Sequence, residues 1–230
     1  RQYFSDENGM RCDAIRQKIE NWKEQNLISD DEYYFLITSL VESIDKYANT
    51  ASVYGAFLKK LKKTAQNNLI LKPAELIIND QDHEVFNEDI NMVAGKIKGD
   101  ILYLDPPYNQ RQYATNYHML ETIAKYDNPE IHGKTGLREY QNQKSLYCSR
   151  TQVKKAFKDL ILKARAKYIF LSYNNEGLMT LDDIQEIMSL RGKYGNFTKE
   201  YNRFKADKSE NRNYTANKTV EYLHYVVCNN

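Results

Sequence analysis

The residues best equipped for chemistry stand together at Asp105-Pro106-Pro107-Tyr108, directly after the apolar run Ile101-Leu102-Tyr103-Leu104. Two of the chain's four prolines are here. Proline has no N–H and fixes φ, so the pair stiffens the loop. The residue before a proline is held extended, which projects Asp105 away from the preceding run. The result is a rigid pair of acceptors, the Asp105 carboxylate and the Pro106 carbonyl. An exocyclic amine offers two hydrogens. Two acceptors that hold them aim the nitrogen lone pair at an electrophile, which is positioning plus preorganised electrostatics. Tyr108 offers a flat face to the ring that carries the amine. Base–aromatic stacking is worth about 1–3 kcal/mol, the scale needed to offset taking a base out of a duplex. The bland alternative is a strand followed by a proline-rich turn in which Asp105 bonds locally.

A second apolar run, residues 168–171, ends in Ser172-Tyr173-Asn174-Asn175. Ligands of open α/β sheets bind outside the carboxyl ends of the strands. Two such runs side by side in a parallel sheet bring both polar ends to one edge. The continuous apolar character of residues 101–104 predicts a strand covered on both faces.

The remaining elements must position these ends. A helix capped at Ser5 or Asp6, with periodicity through Ile15, Ile19 and Trp22, and a second over 29–48 both have acid-rich starts, and residues 53–63 read as a third helix with Lys59, Lys60, Lys62 and Lys63 on it. Residues 76–78 and 84–86 are short strand candidates. Residues 115–126, 151–166 and 181–190 read as helical, and 91–98 as a short helix or turn. The stretch 127–150 has little regular signal and is expected to be a mobile loop. Residues 196–204 and 220–227 read as a hairpin joined by a polar segment. The alternation predicts an α/β fold: a partial Rossmann-like sheet, mostly parallel, with an antiparallel C-terminal hairpin. It divides the chain into a helical region, 1–66, and an α/β catalytic domain, 67–230.

Composition narrows the class. The net charge of +2 does not by itself announce nucleic acid. Nineteen tyrosines suit wet, aromatic-lined surfaces. Cys12, Cys148 and Cys228 are far apart, with no metal-ligand spacing, so a reducing, cytoplasmic compartment is expected. No apolar run reaches the length of a membrane span.

Taken together, Asn87-Glu88-Asp89, Leu104-Asp105-Pro106-Pro107-Tyr108-Asn109, Asn116-Tyr117-His118 and Phe170-Leu171-Ser172-Tyr173-Asn174-Asn175-Glu176 resemble the D12 class of DNA adenine-N6 methyltransferases of restriction–modification systems. So do Asn49-Thr50 with residues 53–58, and the region from Arg203-Phe204-Lys205 to Glu221-Tyr222-Leu223. The resemblance covers nearly the whole chain. It implies a methyl transfer from S-adenosylmethionine to a flipped adenine in double-stranded DNA. Asp105, Pro106, Pro107 and Tyr108 are then expected to hold and stack the adenine. Asp89 is expected to bond the adenine of S-adenosylmethionine, with Asp105, Asn116 and Tyr117 lining the same site. That family also carries a Phe-x-Gly-x-Gly turn for the cofactor, and none of the nine glycines here forms Gly-x-Gly. The resemblance therefore implies a C-terminal part, with the cofactor turn on a preceding segment or a companion chain. An inactive DNA-binding or assembly module derived from such an enzyme is the alternative, and a methyltransferase for another planar amine is a third reading.

For DNA, the segment 203–218 mixes basic residues with Asn211, Asn213 and Tyr214, which suits phosphate and groove contact. Lys205, Arg212, Tyr214 and Lys218 are the candidates. The cluster Lys154, Lys155 and Lys158 reads as a solvated helix face, and His118 and His132 as structural.

Overall fold

The computed structural model describes residues 3–202 and 218–229. The chain divides into two compact units, one of residues 1–82 with 113–142, the other of residues 83–112 with 143–230.

The first unit is built on two helices. Helix α1 (Asp6–Glu24) is capped by Ser5, and α2 (Asp30–Tyr47) by a reciprocal capping box between Ser29 and Glu32. Their apolar stripes meet through Ile19, Ile37, Leu40 and Ile44. Residues 63–69 join them because the buried Asn8 side chain donates to the Ala65 and Asn67 carbonyls and accepts from Leu69 N–H. A boundary at residue 66 would cut through this network. The expected third helix over 53–63 does not form. Its backbone is captured instead by side chains: the Asn49 amide donates to Leu58 O and accepts from Lys62 N–H, and Tyr54 N–H bonds Asn116 O. Side-chain bonds to backbone compete with a helical ladder, and Gly55 weakens the ladder further.

The helix expected over 115–126 is two pieces, α4 (Tyr113–Asn116) and α5 (His118–Lys125), broken at Tyr117. Leu120, Ile123 and Ala124 of α5 pack on the core of this unit. Arg16 of α1 is buried against the end of α5. Its guanidinium donates to Ile123 O, Ala124 O, Tyr33 Oη and the Glu20 carboxylate, and lies 4.5 Å from the centroid of the Tyr126 ring. These contacts satisfy a charge that would otherwise be costly to bury. The stretch 127–150 is more regular than expected. It contains a two-residue hairpin, β2 (Ile131–His132) with β3 (Leu137–Arg138), an Arg138–Asp127 ion pair, and short 3-10 turns at Gln141–Gln143 and Leu146–Cys148.

The second unit is a four-stranded sheet with two long helices. The strands are β1 (Lys98–Leu104), β4 (Arg165–Asn174), β5 (Gly192–Asn202) and β6 (Lys218–Cys228), in the order β1-β4-β6-β5. β1 and β4 are parallel, joined through α6 (Val153–Lys163). β4/β6 and β6/β5 are antiparallel, the latter being the expected C-terminal hairpin. The fold is thus α/β with a mixed sheet whose parallel part is the β1/β4 pair. Residues 76–78 and 84–86 form no strand; among the described residues no strand lies beside them, and Ile77 and Val85 are exposed. α6 and α7 (Leu181–Ser189) cover one sheet face. Phe157, Leu160 and Ile184 pack there on Ile169, Leu171 and Val226. Gly192 turns the chain from α7 into β5 at φ +153°, where a Cβ would lie 2.0 Å from Val227 O.

Among the described residues, β1 is buried on one face only. Leu104 is buried, but Ile101 and Tyr103 are 63% and 60% exposed. A continuous apolar run does not distinguish a strand enclosed on two sides from an edge strand enclosed on one.

Candidate active site

The Asp105-Pro106-Pro107-Tyr108 loop leaves the carboxyl end of β1, beside the carboxyl end of β4, as the parallel register requires: Leu104 pairs with Leu171. Asp105 is exposed, and its carboxylate is bonded to none of the described residues. The local-turn alternative, in which Asp105 bonds its own neighbourhood, is therefore not the arrangement found. Its oxygens are free to accept.

Behind this open acceptor the loop is tied down. Tyr108 O accepts from Leu178 N–H at 3.0 Å. Arg111 N–H turns back onto Asn109 Oδ1 at 2.9 Å, and Arg111 O meets Cys148 Sγ at 3.3 Å. Gln112 both accepts from Ser145 N–H (2.8 Å) and donates to Ser145 O (3.2 Å). Tyr108 is 41% exposed, and its ring stands edge-to-face with Tyr173, centroids 6.5 Å apart at 87°. One part of the ring is thus braced and the rest faces solvent, which is the form of a stacking platform.

Asp89 lies in the same unit. It caps α3 (Ile90–Val93), where its Oδ1 accepts from Asn91 N–H at 2.8 Å, and it is exposed. The short helix or turn expected over 91–98 is this single turn. Asn91 anchors it, donating to Ala156 O and the Asp159 carboxylate and accepting from the Tyr147 hydroxyl. Burial, reinforced by the Asp89 and Asp159 carboxylates, pushes the Tyr147 phenol above its ordinary range, so it remains a proton donor to Asn91.

The other expected residues fall elsewhere. Asn116 and Tyr117 belong to the first unit, at the α4/α5 break, the former half-buried and the latter exposed. Lys205, Arg212 and Tyr214 lie outside the described residues, and so does the Lys218 side chain, although Lys218 opens β6. Lys154 is paired with Asp183 at 2.6 Å, in keeping with a solvated helix face. His118 is buried with its two ring nitrogens against the carbonyls of Thr115 and Thr135. A shallow depression between Lys98, Arg165, Lys167 and Arg191 lies at the start of β1 and β4, the far end from Asp105. Two of its charges are occupied, Lys167 by Asp100 and Arg191 by the Ile161, Leu162 and Ala164 carbonyls.

Sequence reasoning stopped at Glu176 and missed the next two residues. Gly177 and Leu178 form the contacts that hold Tyr173 and Tyr108. The only local signal was a glycine just after a polar strand end.

The family model of D12 class N6 adenine-specific DNA methyltransferases matches residues 1–187. The chain is 57% identical over 224 residues to the type II methyltransferase M.NlaIII of Neisseria lactamica, covering 97% of this chain and 66% of that protein. It is 41% identical over 229 residues to M.FokI of Planomicrobium okeanokoites, covering 98% and 35%. To M.CviAII of Paramecium bursaria Chlorella virus 1 it is 40% identical over 227 residues, covering 98% and 66%. The chain thus spans no more than 66% of the length of these relatives. No solved structure matches it.

Proposed function

Because the chain belongs to the D12 class of N6 adenine-specific DNA methyltransferases, we propose that it carries the target-base site of an enzyme that methylates N6 of an adenine flipped out of double-stranded DNA, as the modification half of a restriction–modification system. The observation that carries this reading is the open acceptor of Asp105 beside a braced, half-exposed Tyr108 at the carboxyl ends of β1 and β4.

The Asp105 carboxylate and the Pro106 carbonyl accept the two N6 hydrogens of the adenine. This draws the nitrogen lone pair out of conjugation and fixes its direction. Tyr108 stacks on the purine and offsets part of the cost of unpairing it. As N6 gains its fourth bond it becomes cationic. The anionic Asp105 stabilises that charge and stands in the path of the departing proton. S-adenosylmethionine, when bound, supplies the electrophilic methyl group.

The residues present fit that donor in part. Asp89 has a second carboxylate oxygen beyond the one that caps α3, and Asp105 is open; both suit the amine and hydroxyl donors of an adenosyl group. Asn116 and Tyr117 are assigned to the same site on the family resemblance. The described residues offer no glycine-rich cradle for the methionine end. Lys205, Arg212, Tyr214 and Lys218 are proposed to meet DNA phosphates and groove edges. Among the described residues no helix is long and apolar enough to cross a membrane.

The test is Asp105→Ala. Methyl transfer to unmethylated genomic DNA is expected to fall at least about 100-fold, with DNA affinity within about twofold, because the group acts on the transition state. Near-normal turnover in that variant refutes the reading. The absence of Gly-x-Gly among the nine glycines favours a second reading, a non-catalytic DNA-binding module. Titration calorimetry separates the two: measurable binding of S-adenosylmethionine by this chain removes the second.

A further inference from the structure

We propose that the turn between β4 and α7 is a positioning device for the target base, in which Gly177 and Tyr173 set the plane of the Tyr108 ring. This rests on the reading of Tyr108 as the stacking platform and goes beyond it, since neither residue touches the base.

Tyr173 is the last buried aromatic of β4, and it is 2% exposed. It is held from several directions. Its hydroxyl accepts from Met179 N–H at 3.4 Å. Gly177 lies directly on the ring: a Cβ at that position would stand 2.1 Å from Cε1 and 2.7 Å from Cζ. These are atoms of the ring body, and the ring is enclosed by the core, so it has nowhere to retreat. The turn itself is fixed to β6. Asn175 N–H donates to Val220 O at 3.1 Å, and Asn175 Oδ1 accepts from Val220 N–H at 3.1 Å. Gly177 N–H closes onto Asn174 O.

This fixed turn reaches Tyr108 twice. Leu178 N–H holds its carbonyl, and the Tyr173 ring meets the Tyr108 ring at 87°. A backbone tether fixes where Tyr108 starts, and an edge-to-face contact fixes how its ring is turned. Without both, an exposed tyrosine explores several rotamers, and a base stacked on it loses its alignment with Asp105. Any side chain at position 177 displaces Tyr173, and the displacement passes to Tyr108.

The experiment compares Gly177→Ala, Tyr173→Leu and Tyr173→Phe with the unaltered protein. The first two are expected to lower kcat on unmethylated genomic DNA about tenfold with KM within about twofold, the pattern of lost transition-state alignment. They should also weaken quenching of free 2-aminopurine riboside fluorescence, which reports stacking and needs neither methyl donor nor recognition sequence. Tyr173→Phe keeps the ring and should restore kcat to within about twofold of the unaltered protein. Unchanged kcat and quenching in Gly177→Ala and Tyr173→Leu, with lowered melting temperature alone, overturn the proposal and leave a purely structural turn. Should both variants fail to fold, amide exchange of Leu178 in the unaltered protein decides: strong protection supports the tether, and exchange at the rate of a free amide overturns it. Asp105→Ala as a parallel sample keeps the two readings apart, because its full activity would refute the functional assignment while leaving the Tyr108 tether measurable.

Discussion

The two faces of the sheet are built from equally apolar residues and meet different fates. On one face Ile169, Leu171 and Val226 are fully buried beneath α6 and α7. On the other, the register aligns Ile101, Tyr168 and Val227 in one row, Tyr103, Phe170 and Tyr225 in the next, and Leu223 with Phe197 in a third. Ile101, Tyr103 and Phe197 are 63%, 60% and 62% exposed, while Phe170, Leu223 and Tyr225 are half-buried. The aromatic side chains there hold one another: Phe197 stacks on Tyr225 at 5.3 Å, and Tyr225 lies across Gly195, where a Cβ would meet its ring at 2.4 Å. One face is thus held by close packing against helices and the other by cross-strand pairs alone. The difference teaches that strand hydrophobicity in this protein exceeds what the described elements consume.

Substitutions on the two faces test this contrast. The largest effect is expected on the covered side. Phe157→Ala empties a site that cannot collapse and should cost about 3–5 kcal/mol in urea unfolding. Next comes pH. His224 sits on the covered face, stacked between Tyr194 and Tyr222 and bonded to the Tyr194 hydroxyl at 2.9 Å. Burial pushes its imidazole down to about 4. The unfolded chain takes up this proton near pH 6.5 and the folded protein only near pH 4. The unfolded state therefore binds more protons between these values, and stability should fall as pH drops through that window, by about 3 kcal/mol. His224→Gln should flatten this part of the profile.

Smaller effects are expected on the open face. Gly195→Ala should cost about 1 kcal/mol, because the Tyr225 ring it displaces can swing toward solvent. Phe197→Ser should cost less than about 1 kcal/mol, the value of a cross-strand pair, and should lower binding of the dye ANS. If Phe197→Ser destabilises the protein as much as Phe157→Ala, the open face is covered in solution and the contrast between the faces fails.

How much of this was legible in sequence depends on the range of the interaction. The acid-rich starts of α1 and α2 and the apolar runs of β1 and β4 are local signals, and each element formed where expected. The parallel β1/β4 pair followed from the alternation of strand and helix. The failures were non-local. Residues 53–63 carry helical spacing, yet Asn49 captures their backbone. Residues 76–78 and 84–86 have strand composition without a strand beside them. The helix over 115–126 breaks at Tyr117.

The candidate site divides along the same line. Sequence alone determined the reactive stretch, because aspartate, two prolines and tyrosine after an apolar strand create their stiffness and their acceptors through covalent geometry and nearest neighbours. It could not show that the Asp105 carboxylate stays unbonded, or that Tyr108 is held by Leu178 and Tyr173, about seventy positions along the chain. Those facts arise only when β1 and β4 lie in register and bring the following turns to one edge. The chemical groups are a property of the chain; their alignment is a property of the packed sheet.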